Sequence, residues 1–169
     1  LAEAQKKTEL RLNELAEAQK KTEAEIARLA IGLQDVRRDI GGITKTMSYA
    51  FENEAFRNLP KFLKEKLNIE LTERLIREEI GGKEINIFGR ARKDGKEVFI
   101  VGESKLRLDE RRDEGIEEVF EELQQKVEAV KEEFGDVEVL RVLITHYATR
   151  GFLREASKRG IIVIQSFEW

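Results

Sequence analysis

The chain has 169 residues, 38% of them charged, yet its net charge is only −3, so any nucleic-acid surface must be a local patch. Cysteine is absent, which excludes disulfides and thiolate metal sites and gives no hint of secretion; a cytoplasmic location is expected. No apolar run approaches membrane-spanning length and no signal-peptide core opens the chain, so no membrane partner is expected. Abundant Glu, Lys and Arg beside a single Met resembles thermophile composition. Leu1 falls inside a repeat, so a fragment of a longer protein is expected.

The repeat comes first: LAEAQKKTELRLNE (1–14) is followed by LAEAQKKTEAEIAR (15–28), two heptads each. Alternating steps of four and three from Leu1 pass through Gln5, Thr8, Leu12, Leu15, Gln19, Thr22, Ile26, Leu29, Leu33, Val36, Ile40 and Ile43. An a/d seam this long predicts a left-handed coiled coil over 1–42 and a homo-oligomer. Parallel helices are preferred to antiparallel ones, and a dimer slightly over a trimer or tetramer. The Gln and Thr layers weaken the seam and are expected to fix register or partner number.

Gly41-Gly42 is expected to end this helix and hand over to a globular domain, 43–169. A second helix is predicted over 43–68, with Ala50, Phe51, Ala55, Phe56 and Leu59 on one face and Pro60 kinking or restarting it. The segment 69–76 alternates like a strand. A hairpin follows, roughly 83–91 and 96–105, around the turn Lys93-Asp94-Gly95-Lys96. Apolar residues from Ile116 to Phe134 recur at helical spacing, predicting a helix over 113–135 with Gly135 as its stop. Strand 137–145, helix 148–160 and strand 161–167 complete the order α-β-β-β-α-β-α-β. The fold class is α/β, with a mixed central sheet and helices on both faces.

The second hairpin strand ends unusually. Val98-Phe99-Ile100-Val101 suits a domain interior, yet Gly102-Glu103-Ser104-Lys105 follows, displaying an acid and an amine on one face. Hydrolysing a phosphodiester needs neutralised phosphate charge, an activated water and a stabilised leaving oxygen. Mg²⁺ or Mn²⁺ held by carboxylates beside a lysine can meet these needs. Glu103 and Lys105 supply half of such a site, and Glu84 or Asn86 could supply the rest from the neighbouring strand.

The order α-β-β-β-α-β, an acidic position on the second strand and Glu-x-Lys ending the third resemble the PD-(D/E)XK nuclease (restriction-endonuclease-like) superfamily. The likeness is closer to its uncharacterised branch in which a heptad-rich N-terminus precedes the nuclease-like domain, and it covers about 43–169. The resemblance implies that Glu103 ligands the metal and Lys105 assists the water. It also implies that an acid on the first helix completes the site, Glu54 in preference to Glu52. The family's second-strand acid is usually Asp, whereas Asn86 stands here and adds no negative charge. Glu84, two residues back, is therefore expected to be the working second acid and Asn86 an auxiliary oxygen.

Other residues have plainer readings. Gln124, Gln125 and Lys126 could face the site from the long helix, as polar residues do in nucleases of the family the chain resembles, but a wet helix face is the expectation. His146 could approach a phosphate, but a loop position without a role is expected. Arg90, Arg92, Lys93 and Lys96 cluster on the hairpin and could track a DNA backbone, although a solvated turn explains them as well. The leading expectation is a metal-dependent nuclease acting on DNA, oligomerised by its coil. The alternatives are a catalytically silent nuclease-like domain for DNA binding or assembly, and a purely structural coiled-coil adaptor.

Overall fold

The structure, a computed structural model, describes residues 1–111 and 115–169. It begins with one helix, α1 (Ala2–Leu67), which runs through both positions expected to interrupt it. Two interior glycines cost about 1 kcal/mol each relative to Ala, too little to end a helix built mainly from strong formers. Pro60 costs roughly 3 kcal/mol, but Leu59 and Leu63 beside it are each only 1% exposed. Burying such a leucine returns about 1.5–3 kcal/mol, so packing carries the helix across the proline.

The chain divides into two compact units, Leu1–Thr46 and Met47–Trp169. In the first, every residue is exposed, the seam residues Leu12, Ile26, Leu33 and Ile40 among them. No helix among the described residues is long and apolar enough to cross a membrane.

In the second unit, α1 is followed by β1 (Ile69–Leu71), β2 (Ile76–Ile80), β3 (Lys83–Lys93), β4 (Lys96–Ser104), β5 (Arg107–Leu108), α2 (Ile116–Phe134), β6 (Val139–Thr145), β7 (Tyr147–Ala148), α3 (Arg150–Lys158) and β8 (Ile162–Gln165). The expected strand over 69–76 is two short strands instead, and the β5–β7 pair is additional to the expected order. Asp113 and Glu114, where the helix over 113–135 was expected to begin, lie outside the described residues. The main sheet runs β1-β3-β4-β6-β8, with β2 also on β3. β3 and β4 are antiparallel, joined by Asp94 and Gly95, both at positive φ as a tight hairpin turn requires. β4, β6 and β8 are parallel. This is the mixed central sheet of an α/β fold, as expected from the sequence.

Apolar residues fill both faces of the sheet. Phe99 and Val101 of β4 join Val119, Leu123, Val127 and Val130 of α2 on one side. Val98 and Ile100 join Phe51, Ala55, Leu59 and Leu63 of α1 on the other. Alternation along β4 therefore sends Glu103 toward α2.

Candidate functional site

A fork between strands creates the site. The β3–β4 ladder stops at Ile87–Gly102, whereas β4 stays with β6 through Ser104–Ile144, and the Lys105 N–H donates to Ile144 O at 3.0 Å. On its other side, β3 changes register against β2 between Ile76–Phe88 and Glu78–Ile85, an irregularity of the kind that re-aims side chains near functional sites. Asn86 lies at this point, and its Oδ1 accepts the Ser104 N–H at 3.1 Å. The amide thus holds the fork where the ladder ends.

At the tip of β4, four charged groups meet. Glu103, 6% exposed, pairs through Oε2 with Nζ of Lys126 on α2, also 6% exposed. Lys126 Nζ lies 3.5 Å from Glu122 Oε1, and Lys105 Nζ lies 3.0 Å from Glu122 Oε2. Two carboxylates and two ammonium groups form one chain of contacts, with Glu122 and Lys105 half-buried and reachable from solvent. Burial pushes the Glu103 carboxyl above its ordinary value, with the charge and hydrogen bond of Lys126 pulling it back. For Glu122, partial burial acts upward, but the hydrogen bond and charge of Lys105, joined by Lys126, outweigh it and leave the carboxyl below its ordinary value.

Sequence reasoning brought Glu103 and Lys105 together, favoured a wet face for Lys126 and missed Glu122. The signal was present. Lys126 stands three residues after Leu123 and four before Val130, inside the buried stripe of α2, where an unpaired lysine would be costly. Glu122 is one turn before it. Gln124 and Gln125 do lie on an exposed face, where Gln125 accepts from Lys83 at 3.1 Å; Lys126 does not.

The other expected residues go elsewhere. Glu84 is exposed and bonded to Arg77 at 3.2 Å, and Arg77 also pairs with the buried Glu52. That network contains neither Glu103 nor Lys105. Glu54 is exposed and accepts from the Trp169 indole N–H at 3.2 Å, which ties the C-terminus to α1. His146 packs on Phe51 with ring centroids 4.0 Å apart, and its Nδ1 lies 2.8 Å from Ser166 Oγ. Arg90 lies over the rings of Phe99 and Phe134 and pairs with Glu73 at 3.6 Å, whereas Arg92 and Lys96 are exposed and Lys93 half-buried.

Among the described residues, no three of His, Cys, Asp and Glu gather into a group able to hold a metal ion alone. Glu84 carries a contact to Arg77, and the Asn86 amide oxygen accepts a backbone N–H. Glu103 and Glu122 share the Lys126 ammonium, and Glu122 also contacts Lys105. Mg²⁺ commonly takes one or two carboxylates together with substrate phosphate oxygens, and this pair fits that pattern.

A family model described as Domain of unknown function (DUF8196) matches residues 53–168, from α1 through the last strand. The chain belongs to this family. The family domain thus contains every element that builds the fork and the four-group cluster. Two solved structures are similar. One is the crystal structure of a repair endonuclease from Pyrococcus abyssi, 19% identical, with TM-score 0.40, covering 64% of this chain and 45% of that one. The other is the structure of EndoMS in apo form, 22% identical, with TM-score 0.36, covering 65% of this chain and 45% of that one. The chain thus spans less than half the length of either. No curated protein matches it.

Proposed function

We propose that the second unit is a nuclease domain that hydrolyses phosphodiester bonds in DNA, with Glu103, Glu122, Lys105 and Lys126 as its working groups. The observation that carries this reading is the convergence of two carboxylates and two lysines at the strand fork, with Glu122 and Lys105 open to solvent. Glu103 and Glu122 would hold Mg²⁺ or Mn²⁺, whose chemistry is to neutralise phosphate charge and to make a bound water acidic enough to attack. Lys105, on a flexible stem at the mouth of the cluster, is placed to counter charge developing on the phosphate. Arg92, Lys93 and Lys96 would follow the DNA backbone from the hairpin tip. A cytoplasmic location belongs to the same proposal. Supercoiled plasmid incubated with Mg²⁺ or Mn²⁺ tests it: the wild type should nick it and Lys105→Ala should not. Equal nicking by both removes Lys105 from the chemistry, and no cleavage of DNA under either ion removes hydrolysis.

One observation favours a second reading. Glu103 already has a resident counter-charge in Lys126, and Asn86 contributes none. A domain so arranged could bind DNA without cutting it. Binding that falls steeply with salt, without cleavage, is its signature.

Self-association through the first unit completes the proposal. Paired parallel and in register, the seam sets Gln5, Thr8, Gln19 and Thr22 each against its own copy. Antiparallel with full overlap, Gln5 meets Ile43, Thr8 meets Ile40, Gln19 meets Leu29 and Thr22 meets Ile26. That arrangement gains exposed pairs, Glu9 with Arg37 and Arg11 with Asp39, worth about 0.2–1 kcal/mol each. It sets the Gln5 and Gln19 amides against hydrocarbon, at roughly 1–3 kcal/mol for each left without a partner. The Thr8 and Thr22 hydroxyls donate to Ala4 O and Ala18 O in either arrangement. The core layers win, and the parallel dimer is the reading they support.

A further inference from the structure

A lysine in the buried stripe of a helix needs a reason, and Lys126 has two carboxylates on hand. Its ammonium is bound to Glu103 and 3.5 Å from Glu122, the two groups assigned above to the divalent ion. The Lys126 ammonium repels a divalent cation placed beside it, whereas the same two carboxylates without that ammonium attract the cation. Asn86, a neutral amide that accepts the Ser104 N–H, supplies no compensating charge.

We propose that Lys126 is a resident counter-cation competing with the divalent ion for one position between Glu103 and Glu122, so that the ion enters only as the ammonium leaves. The inference rests on the assignment of Glu103 and Glu122 as the ion's ligands and adds a control on the ion's entry. The four-carbon stem lets the ammonium move while its stem methylenes remain on the helix. Lys126 thereby sets the ion affinity of the DNA-free protein.

The test is titration of the full chain with Mn²⁺ alone, followed by electron paramagnetic resonance of the free ion. Lys126→Met should bind Mn²⁺ about tenfold or more tightly than the wild type, as removal of a unit positive charge beside the ion requires. Lys126→Gln, which keeps a neutral donor toward Glu103, should show the same direction and serves where the Met variant does not fold. Glu103→Gln combined with either change should abolish the gain. No gain in a folded Lys126 variant, or a gain that survives Glu103→Gln, overturns the competition. If the gain appears while the wild type cleaves no DNA, the competition stands and hydrolysis falls. If the wild type cleaves DNA and no gain appears, hydrolysis stands and the competition falls.

Discussion

Glu103 and Lys126 bury opposite charges against each other, so either single change leaves a charge behind. Breaking a buried pair from one side typically costs about 3–5 kcal/mol. Glu103→Gln should cost less than Lys126→Met, because Glu122 remains 3.5 Å from the stranded ammonium. Glu103→Gln/Lys126→Met should recover part of both losses. Urea unfolding of the four proteins gives the coupling; losses that add within about 0.5 kcal/mol would mean no interaction. A second carboxylate gives a pH test. Hydrogen bonds from Arg111, followed by one from Arg107, hold the Asp109 carboxyl well below the usual carboxylate range. A depressed folded value means stability present above the unfolded value and lost as pH falls toward the folded one. Asp109→Asn should therefore be less stable than the wild type at neutral pH, with the gap narrowing below the ordinary aspartate value of 3.8. A gap constant from neutral pH to about pH 3 would contradict this sign. At this scale the side on which Glu103 lies was legible in the sequence because its strand is regular. The surroundings of Glu84 and Asn86 were not, because face-by-face alternation fails where β3 changes register against β2.

The elements were legible wherever period and turn chemistry agreed. The Asp94-Gly95 hairpin, the α2 stripe and the parallel strands on either side of α3 follow from pattern alone. Gly41-Gly42 misled because a local propensity was weighed without the long run of helix formers around it. Pro60 misled because its cost was weighed without the buried leucines beside it. The first unit supports a prediction of its own. The chain has no native cysteine, so a single introduced thiol reports directly on register. Leu15→Cys should cross-link to its own copy under mild oxidation, as a parallel, in-register seam places equivalent positions together. A mixture of Leu15→Cys and Leu33→Cys that cross-links only between the two variants would establish the antiparallel pairing instead. Removing about the first 40 residues should lower the mass found by light scattering. An unchanged mass would place self-association in the second unit.

For the molecule as a whole, the sheet, its helices and the family domain all meet at the β3–β4 fork, and the account stands on which acids work there. Sequence alternation selects Glu84; the folded chain brings Glu122 to Glu103 and Lys105 and commits Glu84 to Arg77. Plasmid nicking by Glu122→Gln and Glu84→Gln, each beside the wild type with Mg²⁺ or Mn²⁺, separates the two directly. Both acids are at least partly exposed, so neither change opens a cavity, and a melting curve of each variant checks that it is folded. The account predicts that Glu122→Gln loses metal-dependent nicking while Glu84→Gln keeps it. Nicking that survives Glu122→Gln and disappears with Glu84→Gln would contradict it.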